Sequence, residues 1–368
     1  MDMLKFEDWS DKEITEACSF TTLINRLYER VHSEAEGGEY SFEKCVKSKA
    51  DFPEWQKSFR AAILDCLKIK DLLESRDEIT VIRGNPKWHW TEETHTIEHF
   101  YIKSWMDTLI PVLLCIPKKL KGEEFPAMLC AHGHLMQKEN LVGKKRNFIY
   151  RTAWAKDFAA MGCLTISMDQ WGFGERGKPF WYILKAGHNY DVYERRYAQN
   201  LLEFGRTIAG LRIFDTIRLI DYLNTRDDVD LKRIGISGLS MGGLTAGLVA
   251  ALDERVTMAV IAGYLSTFKS SILDLPQKHC ADMYFPGILR LGEEWDVLSL
   301  IAPRSLCFIT GIKDGLFPIT GATQAFTELK KAYQLLDSMD NCVLDMAPMG
   351  HGWRGNIAYT FVKKKWLL

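Results

Sequence analysis

From about residue 78 onward, short apolar runs alternate with amphipathic stretches of helical period, and this rhythm restricts the fold more than any other feature of the chain. Residues 79–82, 96–104 and 109–117 are rich in β-branched and aromatic side chains, the pattern of an opening set of antiparallel strands. Further strands are expected at 127–130, 163–168, 233–237, 257–262, 306–310 and 342–346. Between them, 150–161, 206–223, 244–251 and 321–336 carry apolar residues at helical spacing. Strands separated by helices pair in parallel through crossovers, and a parallel sheet must be covered on both faces. The expected class is therefore α/β, with a mostly parallel central sheet and helices on both sides. Three stretches break the rhythm: 135–147, 178–202 and 266–294. The last two are long insertions, and in such a sheet they lie near the carboxyl ends of the strands, where ligands bind.

Residues 1–76 lack this alternation. Segments 11–32 and 52–74 mix Lys, Glu, Leu and Ile at helical spacing. The expected division is an N-terminal helical extension over 1–76, packed as a layer on one catalytic domain over 77–368. The same helices leave a homo-oligomer open. With 368 residues the chain is long enough to bury a core without disulfide staples. Its 47 Lys+Arg against 48 Asp+Glu leave no basic surplus, so no nucleic-acid partner is expected. The start, Met1 to Asp8, carries acids where a secretory signal needs a basic start and an apolar run. The longest apolar stretches fall well short of the ~20 residues of a membrane helix, so no membrane partner is expected. The 9 cysteines are odd in number and form no Cys-x-x-Cys pair. A cytoplasmic protein with reduced thiols is expected.

The sharpest local signal is Gly238-x-Ser240-x-Gly242, directly after an apolar strand and before a helix of small residues. A nucleophile elbow requires that context: the turn is strained, and flanking glycines remove side chains that would clash. Ser240 is thus the candidate nucleophile, at a helix start that favours developing negative charge. A serine hydroxyl needs a base, itself oriented by an acid, and in such enzymes the order is Ser, then Asp or Glu, then His. Downstream of Ser240 stand only His279, inside an insertion, and His351, between Gly350 and Gly352 after the last strand. His351 is the expected base. Asp314 follows the 306–310 strand and a glycine, ahead of a turn, and is the expected acid; Glu293, Glu294 and Asp296 have no strand directly before them. The expected oxyanion donors are the backbone N–H groups of Met241, next to the nucleophile, and of His134, in the loop after the 127–130 strand. His132 and His134 also form a spaced histidine pair of the zinc-binding kind. No third or fourth ligand accompanies them, so no metal is expected. Asp169, Glu175 and Arg176 read as a buried polar network holding the site loops, with substrate contact as the alternative. Phe180, Trp181, Tyr182, Tyr190, Tyr193 and Tyr197 read either as packing or as the lining of an acyl or sugar pocket.

These residues resemble the α/β-hydrolase superfamily, and within it the dienelactone-hydrolase-like and acetyl xylan esterase-like branch. The resemblance runs over roughly residues 80–368. It is carried by His132-Gly133-His134, Asp169-x-x-Gly172-x-Gly174-Glu175, the helix from Asp215 to Leu223, Val229-Asp230 with Arg233-Ile234-Gly235, the 238–243 elbow, Asp314 and Gly350-His351-Gly352. It implies a Ser-His-Asp triad, an acyl-enzyme and no cofactor. Dienelactone hydrolases proper use Cys as nucleophile, so Ser240 favours an esterase. Relatives acting on polysaccharides are often exported, and this chain shows no signal, which points to small esters such as acetylated oligosaccharides. The expected function is hydrolysis of small carboxylic esters with a small-molecule partner. A peptidase of the prolyl oligopeptidase-like group and a non-catalytic binding protein of this fold are the rivals.

Overall fold

The computed structural model of the chain describes residues 10, 12, 16, 19–32, 38–84, 86–118, 124–146, 150, 152–177, 190–275, 278–354 and 356–367. Its strands are β1 Val81–Arg83, β2 Trp90–Thr91, β3 His95–Lys103, β4 Leu109–Pro117, β5 Phe125–Ala131, β6 Leu164–Met168, β7 Val229–Leu239, β8 Met258–Ala262, β9 Ser305–Gly311 and β10 Cys342–Ala347. They form a single sheet in the order β1-β3-β4-β6-β5-β7-β8-β9-β10, with β2 paired to β3. Every pairing from β6 to β10 is parallel, whereas β1 to β4 pair antiparallel with one another and β4 pairs antiparallel with β6. The expected opening meander and parallel remainder are both present.

Side chains of the parallel strands feed two cores, one on each face. Along β5, Phe125, Ala127 and Leu129 enter one core while Met128 and Cys130 enter the other. Leu306 and Phe308 of β9 alternate in the same way with Cys307 and Ile309. A period of 2 with both faces apolar is what a strand covered on both sides requires. The longer helices are α1 Phe20–Val31, α2 Phe52–Leu67, α3 Trp154–Ala160, α4 Tyr190–Glu203, α5 Ile208–Leu223, α6 Met241–Leu252, α7 Glu294–Ser299, α8 Ile319–Leu335 and α9 Asn356–Trp366. Side chains of α2, α5, α6, α7 and α8 fill one core, and those of α3 and α9 fill the other.

Of the N-terminal segment, α2 and the residues flanking it pack on the first of these cores. The 52–74 stretch is two helices rather than one, because Lys68 adopts φ 59° and ends α2 before a second short helix, Lys70–Glu74. Phe52, Trp55, Phe59, Ile63 and Cys66 recur at helical spacing, and all are buried. Phe59, Ile63 and Leu67 are wholly buried, each contributing roughly 1.5–3 kcal/mol. Arg60 Nε donates to the Ala251 carbonyl of α6 at 2.8 Å, tying α2 to the helix that follows the elbow. Within the insertions, α4 accounts for the second half of 178–202, and short turns and helices occupy 269–273, 281–283 and 288–291. Phe180, Trp181 and Tyr182 lie outside the described residues, as do the side chains of Tyr190 and Tyr193.

Candidate active site

Ser240 closes β7 and caps α6 with φ 58° and ψ −121°, a conformation that L-residues rarely adopt. The two motif glycines explain how the chain reaches it. A Cβ on Gly238 would lie 1.9 Å from the Gly242 carbonyl oxygen, and one on Gly242 would lie 2.0 Å from the Ala131 carbonyl oxygen. No side chain fits at either position, so the strand can turn into α6 against β5 only with glycine there. The turn is pinned by the Ser240 N–H, which donates to the Ala262 carbonyl of β8 at 2.9 Å. Met241 is the first residue of α6, where the backbone N–H has no intrahelical acceptor.

His351 and Asp314 come from loops after β10 and β9 and meet at this turn. His351 Nδ1 lies 2.8 Å from Asp314 Oδ2. The second Asp314 oxygen accepts the N–H groups of Leu316 at 2.8 Å and Phe317 at 3.1 Å, so the carboxylate is aimed from both sides. Burial alone would raise the Asp314 carboxyl; the His351 hydrogen bond and charge, with the two amides, hold it below its ordinary range instead. On the far side of the ring, His351 Nε2 is buried without a hydrogen-bond partner among the described residues. Phe317 stacks on the imidazole at 5.8 Å and Tyr150 meets its edge at 6.0 Å. Gly263, at the end of β8, brings the ring to the elbow: a Cβ there would lie 2.9 Å from His351 Cε1. Gly133, in the loop after β5, packs on the other flank, its would-be Cβ 3.4 Å from Ser240 Cβ. The structure thus gathers Ser240, Met241, Asp314, His351 and the 133–134 loop at the carboxyl ends of neighbouring strands.

The sequence profile of the Abhydrolase family matches residues 26–335. The chain belongs to this family. A curated relative of similar sequence is the Bacillus subtilis protein named "Putative hydrolase YtaP", 29% identical over 268 residues, with 70% of this chain and 83% of that protein covered. Among solved structures, one described as "a putative acetyl xylan esterase" from Bacteroides fragilis superposes with TM-score 0.70 at 19% identity, covering 92% of this chain and 87% of the other. Methylesterase BT1017 superposes with TM-score 0.68 at 18% identity, covering 94% of this chain and 69% of its own. These likenesses place the Abhydrolase chain in the α/β-hydrolase fold.

Around the gathered residues, two polar networks fasten the loops. His132 is wholly buried, with Nδ1 2.9 Å from the Gly133 carbonyl oxygen and Nε2 accepting the Gln170 N–H at 3.0 Å. Gln170 returns a side-chain bond to the His132 carbonyl at 2.7 Å and takes the Thr245 hydroxyl at 2.9 Å. Burial lowers the His132 imidazole to about 4, so it stays neutral and structural. The second network centres on Lys138, which is wholly buried and which sequence reasoning missed. Its ammonium donates to Glu139 at 2.9 Å, Asp169 at 2.7 Å and Glu175 at 2.6 Å. Burial works against that charge, but the surrounding carboxylates raise the ammonium above its ordinary value. Glu175 also takes the Tyr101 hydroxyl at 2.9 Å and lies 3.1 Å from His99 Nε2. Burial would raise this carboxyl, yet those partners and Lys138 hold it down at about 2. Arg176 turns the other way, to Asp215 at 2.6 Å and the Leu109 carbonyl at 3.0 Å.

The residues set aside in the sequence have other employment. His279 Nε2 pairs with the Leu316 carbonyl oxygen at 3.1 Å, and its ring meets Phe317, which stacks on His351. Glu293 and Asp296 cap the start of α7, while Glu294 accepts the Ser266 N–H at 3.0 Å. A cleft of about 340 Å³ opens between α4 and the 279–284 segment, lined by His279, Arg195, Leu202 and Tyr284 among others. Among the described residues, no helix is long and apolar enough to cross a membrane.

Proposed function

We propose that this chain is a serine esterase that hydrolyses small carboxylic esters, with short acyl groups on carbohydrate or other small alcohols. The observation that carries the proposal is Ser240 on a positive-φ elbow beside a histidine held at 2.8 Å by a buried carboxylate. Names among the fold relatives, an acetyl xylan esterase and a methylesterase, support esters with one small component.

In the proposed reaction the Ser240 hydroxyl attacks the ester carbonyl while His351 Nε2 takes its proton. Asp314 holds the ring in the tautomer that leaves Nε2 free to accept, and stabilises the imidazolium that forms. The carbonyl oxygen gains negative charge and is met by the Met241 and His134 amides, preorganised by α6 and the 133–134 loop. Collapse of the tetrahedral intermediate expels the alcohol, which receives the proton from His351. Water, deprotonated by the same ring, then attacks the acyl-enzyme and releases the acid. Each step uses side chains and backbone amides of the chain together with water. None of the described cysteines is in a disulfide, which suits a reducing compartment, and we place the enzyme in the cytoplasm.

The test is hydrolysis of p-nitrophenyl esters of increasing acyl length by wild type and Ser240→Ala. Turnover confined to acetyl and propionyl esters, lost by roughly 10⁴-fold or more in the variant, is expected. A preference for long chains would replace the small-acyl reading with a lipase-like one. No turnover on any ester, methyl esters of sugar acids included, would remove the esterase reading and leave the peptidase and binding-protein rivals.

A further inference from the structure

In the sequence the pair His132 and His134 lacks further metal ligands; the structure separates the two and supplies them to one. Both nitrogens of His132 are committed to the Gly133 carbonyl and the Gln170 amide. The His134 ring instead turns toward Glu194 of α4 and toward Cys280 and Asp282 of the second insertion. Each of these four residues offers one ligand atom, and the four atoms lie within 4.8 Å of one another. His134 Nε2 is 3.0 Å from Glu194 Oε2 and the ring shares a hydrogen bond with the Cys280 thiol.

An independent observation concerns Asp282. The residue is 1% exposed, yet neither carboxylate oxygen takes a hydrogen bond among the described residues. Arg212 Nη1 forms an ion pair with Oδ2 at 3.2 Å but makes no hydrogen bond there. A buried carboxylate without donors is costly, and native structures satisfy such groups with a partner, an ordered water or an ion. The donor set distinguishes between ions. One thiol, one imidazole and two carboxylates suit a tetrahedral transition metal, zinc first, whereas calcium and magnesium take oxygen ligands alone. Charge agrees as well. A divalent ion with two carboxylates and a thiolate leaves one negative charge, and Arg212, whose Nη2 holds Glu194 Oε1 at 2.6 Å, cancels it.

We infer that His134, Glu194, Cys280 and Asp282 form a structural zinc site. Four protein ligands close the coordination sphere, so the ion holds parts together rather than activating water. What it holds is specific: the 133–134 loop, α4 and the 280–282 turn are far apart in sequence, and the ion staples both insertions to the loop that carries the His134 amide. Binding displaces the thiol proton of Cys280, and that of His134 where the ring is protonated, to solvent.

The full-length protein, stripped with a chelator and then titrated with zinc, should bind one ion per chain by elemental analysis. Cobalt in place of zinc should give the intense visible bands of tetrahedral geometry and a thiolate-to-metal charge-transfer band. Cys280→Ser should abolish that charge-transfer band, and Asp282→Asn should weaken zinc binding by at least ~10-fold, with circular dichroism confirming that both remain folded. Less than stoichiometric zinc at micromolar concentration, absence of the charge-transfer band in wild type, or a band that survives Cys280→Ser would each overturn the assignment. None of these readings depends on esterase turnover, so the site and the proposed function stand or fall separately.

Discussion

Replacing Gly263 by alanine should slow turnover while leaving the protein folded. The added methyl would sit 2.9 Å from His351 Cε1, 3.0 Å from Nδ1 and 3.3 Å from Leu239 Cδ1. Non-bonded carbons settle at about 3.5–4.0 Å, so the imidazole must retreat by roughly 0.5–1 Å. The ring yields more easily than the β8 backbone, because Gly263 N–H is bonded to the Ile309 carbonyl of β9 at 2.9 Å. Retreat carries Nδ1 off the 2.8 Å bond to Asp314 and shifts Nε2, the atom that takes the proton in the proposed reaction. A misplacement of ~1 Å in a reacting group costs about 10²-fold, so kcat should fall by roughly 10- to 100-fold. KM should change little, since proton transfer is made only in the transition state. Gly263 also has φ +53°, and a side chain there costs about 1–2 kcal/mol, a drop that a domain of ordinary stability survives. The assay is steady-state hydrolysis of p-nitrophenyl acetate with a thermal melt of the same preparation. A variant with the small loss in Tm and a kcat within twofold of wild type would refute the argument, because the ring would then not be working where the structure puts it.

Two further outcomes follow from the networks. Lys138→Met leaves Asp169 buried and Glu175 partly buried around an uncharged stem, and removing one partner of a buried ionic group destabilises by about 3–5 kcal/mol; Tm should fall accordingly, and an unchanged melt would count against the network as a fastening of the 133–138 loop. For pH, burial depresses His132 from 6.5 to about 4. The unfolded chain therefore binds the proton more readily, and this contribution to stability is full above pH 6.5 and lost as pH falls toward 4. The difference amounts to roughly 3 kcal/mol. Melts from pH 7 to 4 should fall less steeply for His132→Gln, and parallel curves would contradict it.

The elements legible in the sequence are those whose signal is local. The β7–α6 elbow is one, because the backbone conformation of Ser240 is dictated by glycines two residues to either side. The strands at β5, β8 and β9 are others, since two-faced apolar runs fit little else than a covered sheet. Helix α4 was not legible: a run such as Tyr193-Glu-Arg-Arg-Tyr197 has little apolar periodicity, and its fixed points are the ionic contacts of Glu194 to Arg212 and His134. The break at Lys68 was missed because a single left-handed residue leaves no mark on the periodicity of 52–74. Helix α9 has no clear apolar period either, with three consecutive lysines in its last turn.

Within the candidate site the same boundary holds. Motif and chain order single out Ser240, Asp314 and His351, because each follows a strand end and the fold class sets their sequence. Nothing near Lys138 announces that Asp169 and Glu175, 31 and 37 residues on, converge on its ammonium. Gly263 is readable as a turn after an apolar strand, but not as the seat of the His351 ring, 88 residues away. His134 reads as half of a histidine pair; its neighbours Glu194, Cys280 and Asp282 come from two separate insertions. The sequence by itself determined the strand–helix class and the residues whose roles depend on adjacent backbone. The tertiary structure alone decided which buried charges meet and which glycine faces which ring. Backbone geometry is set by a few neighbouring residues, whereas the partners of a buried side chain are chosen only when the sheet closes and brings distant loops to one edge.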